Sequence, residues 1–126
     1  MGGNGTFAAG NIVKYRWETV GKINGVKVLR PADSTASHKL PEEAHKSRMY
    51  ILLKNDGTFS QMRIYDKNHK LRFEIAYHPE QKLDPSRKPV LHYHVCNGAN
   101  DRSKAKMATA KMYEKFKQYL KGAVYP

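Results

Sequence analysis

His92 and His94 stand one residue apart in the run PVLHYHV, residues 89–95. In a strand the side chains alternate, so both imidazoles point the same way, about 7 Å apart along the backbone. Three chemistries fit such a pair. Two neutral imidazoles can bind one zinc ion with His78 or Glu74 as a further ligand, but no second short Cys/His spacing accompanies them, and no metal or cofactor is assigned. Alternatively, one imidazole takes a proton from a nucleophile and the other gives one to the leaving group, because the unperturbed pKa lies near neutrality. With Arg63 or Arg72 on the developing negative charge, that set would cleave RNA through its own 2′-hydroxyl, without a metal. The plainest alternative is a pair of half-exposed strand histidines, hydrogen-bonded to Glu74.

A second constellation interleaves aromatic and cationic side chains. Tyr50, Phe59 and Tyr65 alternate onto one side of the central strands with Arg48, Arg63 and Arg72, an arrangement on which bases can stack while guanidinium groups meet phosphates. A structural sheet surface tolerates tyrosines equally well. Glu42, Glu43 and His45 precede these strands, and read either as one helical turn after Pro41 or as a loop carrying a third imidazole. No phosphate-binding glycine loop, nucleophile elbow or dinucleotide fingerprint is present, so those enzyme classes have no support.

Charge points the same way as the arginines. The chain of 126 residues has 23 Lys and Arg against 11 Asp and Glu, a net +12. Such a potential attracts polyanions, so RNA, a nucleotide or another polyanion is the expected partner, with an acidic protein next. Cys96 is the only cysteine, which excludes an intrachain disulfide and reads as a buried, reduced thiol in a cytoplasmic protein. No run of about 18 apolar residues is present and no membrane partner is expected. The opening MGGNGT meets the loose myristoylation pattern but reads more simply as a flexible glycine-rich leader over 1–10, followed by one domain over 11–126.

The elements that must position these residues follow from alternation and turn chemistry. Strand-forming residues at 11–17 and the Asn24-Gly25 pair within 22–29 predict an amino-terminal β-unit, and residues 30–46 read as a loop. Strands are expected at 47–54, 58–65 and 70–78, with Asp56-Gly57 as a two-residue loop. That loop sets Lys54 opposite Phe59, Ile51 opposite Met62 and Tyr50 opposite Arg63. The next turn sets Ile64 opposite Leu71, Met62 opposite Phe73 and Arg63 opposite Arg72. One side then collects Met49, Ile51, Leu53, Met62, Ile64, Leu71, Phe73, Ile75 and Tyr77 as a core face; Glu74 and His78 join the arginines and tyrosines on the other. A fourth strand supplies His92 and His94 to that polar side. Ala105, Ala108, Met112, Phe116, Tyr119 and Ala123 recur at helical spacing, predicting an amphipathic helix over 101–121 that Gly122 ends. The expected fold is α+β: an antiparallel meander of four or more strands with a carboxyl-terminal helix packed on one face and the other face open.

The stretch from LPEEAHKSRMYILLKNDGTFSQMRIYDKNHKLRFEIAYH to LHYHV resembles a small domain of phage and prophage proteins of Gram-positive bacteria, also found at the carboxyl ends of polymorphic toxins. The shared features are the leading LP, the DGT turn, RIYD, the YH closing the third strand and the His-x-His; they cover over a third of the chain. The resemblance implies a phage-encoded protein in the cytoplasm of a bacterial host, with a nuclease-toxin relationship. It carries only His78, His92 and His94 over as suspected site members. The toxin-borne copies are attached to a large delivery protein, whereas this chain is expected to stand alone, so an accessory, structural or anti-defence role against a host defence protein is the alternative to a ribonuclease or phosphodiesterase.

Overall fold

The computed structural model describes residues 17–31, 40–42, 44, 48–98 and 100–125. The glycine-rich leader, all but Trp17 of the strand expected at 11–17, and the expected positions of Glu43 and His45 lie outside the described residues.

Strand β1 (Trp17–Ile23) turns at Asn24-Gly25 into β2 (Val26–Pro31). Both turn residues have positive φ, 47° and 82°, the backbone that a type I′ hairpin loop requires and that Asn-Gly supplies at least cost. Then follow β3 (Met49–Leu53), β4 (Phe59–Tyr65), β5 (Leu71–His78), β6 (Val90–Val95) and β7 (Lys106–Met107). They form one seven-stranded sheet in chain order, antiparallel at every step except β2 against β3, which run parallel. A parallel neighbour cannot be reached by a tight turn, so the chain must cross over the sheet between β2 and β3. Leu40 and Ala44, on that crossover, are buried against one face.

The turns differ from those expected, and the differences decide the faces. Around Asp56-Gly57 the loop has three residues rather than two: Lys54 N–H donates to the Thr58 carbonyl at 2.7 Å, and Gly57, at φ 86°, takes the left-handed position. Asp56 secures it by accepting from the Thr58 N–H and hydroxyl. The extra residue shifts the register at Leu53, which pairs with Phe59, and turns Phe59 into the first core rather than onto the polar side. Between β4 and β5 the loop is instead one residue shorter than expected, three residues over 67–69, with Asp66 N–H donating to the Lys70 carbonyl and His69 at φ 69°, and a bulge at Arg72, beside the Tyr65–Leu71 pair, shifts the register once more. Two single-residue slips cancel in side-chain direction. Ile64 therefore meets Phe73, and Met62 meets Ile75, on the expected side with partners two residues on; Leu71, between the slips, lies on the opposite face.

The sheet is apolar on both faces. One carries Val28, Ile51, Phe59, Met62, Ile75 and Leu91. The other carries Leu29, Tyr50, Leu52, Tyr65 and Leu71, covered by Leu40 and Ala44 with Trp17 alongside. The carboxyl-terminal helix is much shorter than expected. Residues from Asp101 return to the sheet, Arg102 bridging Cys96 and β7 pairing with His92 and Tyr93. Only Ala110–Phe116 is helical (α1), continued by a 3-10 turn over Lys117–Tyr119. Thr109, extended at φ −90° and ψ 159°, caps α1 by accepting from the Met112 N–H. Pairing β7 with β6 satisfies backbone groups that would otherwise leave β6 an open edge, which outweighs the helical spacing of the alanines. No helix among the described residues is long and apolar enough to cross a membrane.

Candidate functional site

The sheet register assembles the site. Glu74 on β5 stands opposite Arg63 on β4 and opposite His94 on β6; one step along, Ala76 separates Gln61 from His92, and His78 pairs with Val90. These side chains share the face that carries Tyr50 and Tyr65. Three imidazoles lie in a row, with ring centroids 4.7 Å apart for His78 and His92 and 5.7 Å apart for His92 and His94, each pair edge to face.

Each ring is held through Nδ1 by a backbone carbonyl: His92 by Val90 at 2.7 Å, His94 by Ser103 at 2.8 Å and His78 by Pro79 at 3.1 Å. A carbonyl only accepts, so each Nδ1 carries a proton, and in a neutral ring the basic lone pair belongs to Nε2. His92 is 0% exposed and its Nε2 has no hydrogen-bond partner; Gln61 Oε1, across Ala76, is the other buried side-chain atom without one among the described residues. Burial pushes the His92 imidazole pKa down, against the pull of the Val90 carbonyl, and charge on His78 or His94 would push it further. At neutral pH His92 is a neutral ring with an unmet acceptor. His94 is 8% exposed and His78 is the part-exposed member.

Glu74 is buried and accepts from Arg63 Nε at 2.6 Å and from Arg102 Nη2 at 2.9 Å. Arg63 is buried too, its Nη1 donating to the Leu40 and Pro41 carbonyls at 3.0 and 3.1 Å; the Tyr65 hydroxyl donates to Pro41 as well. Arg63 therefore ties the crossover to the sheet and is not presented to a phosphate. Arg102, with 40% of its side chain exposed, is the guanidinium of this group that meets solvent. Its distance from β5 in the chain gave alternation no means of finding it.

The expectation of an open face does not hold at Tyr50 and Tyr65. Both are buried beneath the crossover, their rings edge to face at 5.6 Å, and cannot receive bases. Arg48 is exposed. Arg72 is exposed and bonded to Asp66 and Asn97 instead of facing Arg63. Backbone N–H donation from Lys70, with the Arg72 guanidinium adding to it, holds Asp66 below the usual carboxylate range. Cys96, a free thiol, is buried, and burial with the Glu74 charge raises its pKa.

The structure thus brings His78, His92, His94, Glu74 and Arg63 together and leaves Arg48 and Arg72 outside the group. Among the described residues no group of three or more His, Cys, Asp or Glu is placed to hold a metal ion. Comparison with protein-family models, curated proteins and solved structures finds no match to this chain.

Proposed function

We propose that the protein binds RNA, or nucleotides as polyanions, and cleaves RNA without a metal at the row of His78, His92 and His94. The observation that carries this reading is the buried Nε2 of His92, which lacks a partner yet lies against two other imidazoles. An unmet buried acceptor costs about 1–3 kcal/mol, and such groups call for a functional reason. In the reaction the 2′-oxygen attacks the neighbouring phosphorus and the P–O5′ bond breaks. One imidazole Nε2 takes the hydroxyl proton, and a protonated imidazole returns one to the leaving oxygen. His92, kept neutral by burial, suits the first role; part-exposed His78, at the solvent side, suits the second. Arg102 replaces Arg63 and Arg72 as the guanidinium for the phosphate, and Glu74 orients it. The reading takes α1 as an amphipathic cover of the opposite face, and the resemblance adds the setting of a phage-encoded protein in a bacterial cytoplasm.

The complete burial of His92 favours a second reading, a non-catalytic phage accessory, structural or anti-defence protein that binds a host protein or a nucleotide signal. One experiment separates the two. On the first reading, purified protein cleaves a labelled RNA in EDTA and leaves 2′,3′-cyclic ends, with His92→Ala and His78→Ala each slower by about 100-fold or more. An intact RNA substrate with the folded wild type refutes the nuclease and leaves the binder.

A further inference from the structure

The face opposite the histidines is incompletely covered at one end, where Met49, Ile64, Phe73 and Tyr93 pack against the core yet stay partly exposed. Phe59 N–H donates to the Lys121 carbonyl and Ala108 N–H to the Leu91 carbonyl, so the carboxyl-terminal segment crosses the sheet at its Phe59 and Leu91 end. Four or five residues along the strands, roughly 13–17 Å away, Met49, Ile64, Phe73 and Val95 stand opposite one another in register across β3, β4, β5 and β6. The first three are partly exposed, and Val95 is 48% exposed. Tyr93, two residues before Val95 and also partly exposed, stacks its ring on Phe73 at 5.3 Å with an interplanar angle of 28°. Opposite Tyr93 is exposed Lys106, and exposed Lys104 lies on the same bordering segment.

We propose that this row is a base-stacking platform for single-stranded nucleic acid, with Phe73 and Tyr93 as the aromatic surface and Lys106 on the phosphate backbone. It rests on the polyanion-binding part of the function proposed above and assigns that binding to the opposite face from the histidines. Aromatic rings standing on a sheet beside lysines are what a flexible strand uses, since every base has a π-face and sequence is not read. Charge decides the occupant. A second copy covering the same apolar row would bring two chains of net +12 together, whereas a polyanion neutralises that charge and releases its counterions.

The test uses a fluorescein-labelled oligodeoxythymidylate of about 20 nucleotides, longer than the usual site on such a surface. It lacks the 2′-hydroxyl and cannot be consumed by the proposed cleavage. Anisotropy titrations across about 50–200 mM salt give affinity and salt slope. Phe73→Leu and Tyr93→Leu keep apolar bulk and remove the rings; each weakens binding by about 5- to 100-fold. Lys106→Ala lowers the salt slope by about one. Lys22→Ala, on the distant β1–β2 hairpin, changes neither, and urea midpoints verify that the leucine variants fold. Absence of binding, or binding unchanged in both leucine variants, overturns the platform, as does a wild-type dimer in sedimentation that Phe73→Leu abolishes. RNA cleavage in EDTA reports on the histidines alone: deoxyoligonucleotide binding without RNA cleavage refutes only the nuclease, and cleavage with ring-independent binding refutes only the platform.

Discussion

The Arg63–Glu74 pair offers the sharpest test of how this sheet is built. Replacing Glu74 by Leu leaves the Arg63 guanidinium buried with only two carbonyls, and replacing Arg63 by Met removes the donor to the Leu40 carbonyl while Glu74 keeps Arg102. Breaking one side of a buried pair costs about 3–5 kcal/mol, whereas removing both charges together with apolar residues of similar bulk is often close to neutral. The single variants are therefore each expected to lose about 3–5 kcal/mol, Arg63→Met toward the lower end because Arg102 remains. The double variant should lie within about 2 kcal/mol of wild type, giving a coupling of at least about 4 kcal/mol. With a urea slope near 1.5 kcal/mol/M, each single change moves the midpoint down by about 2–3 M. The lone Trp17, alongside the covered face, is a fluorescence probe of the region that Arg63 ties down. Single losses under about 1 kcal/mol, or losses that add in the double variant, would refute the view that Arg63 is a buried structural tie and return it to the list of phosphate-binding candidates.

His92 makes stability fall in acid. Its pKa is lower in the folded state, so the unfolded chain takes up the proton first: stability is full above the ordinary value of 6.5 and declines as pH falls through it, by at most about 1.4 kcal/mol per pH unit. Urea midpoints measured between about pH 8 and pH 5 should show this decline in wild type and a shallower one in His92→Leu; equal slopes would contradict it. Gly122, at φ 79°, has no room for a side chain, since an added Cβ would lie 2.8 Å from Thr58 Cγ2 and 3.0 Å from its Cβ. Gly122→Ala should cost more than about 1 kcal/mol through strain and clash together, and a neutral result in thermal unfolding would show that the turn relaxes.

Alternation of side chains was enough to sort most of the sheet. Ile51, Met62 and Ile75 on one face, and Arg63, Glu74, His92 and His94 on the other, follow from a period of two that survives any even slip in register. Asn24-Gly25 likewise has one favoured backbone, and the structure adopts it. Loop length and bulges escape such reasoning, because Asp56-Gly57 fits both a two-residue loop and a three-residue loop with glycine in the left-handed position. That single residue decides where Phe59 points. The stripe from Ala105 to Ala123 reads equally well as helix, and the unpaired edge of β6 claims its first part as β7.

Only the tertiary structure could decide what lies over a face. Alternation says that tyrosines and arginines share one side of the strands, but burial depends on a crossover whose own residues, Leu40, Pro41 and Ala44, carry no local signal for where they dock. The same long-range contact turns Arg63 from a phosphate ligand into a buried tie. Return of the chain along β6 brings in Arg102, and burial gives His92 its unmet nitrogen. Residue types and their spacing are local and can be read along the chain; desolvation and partner identity are set by whichever distant segment displaces the water, and only the folded arrangement contains that information.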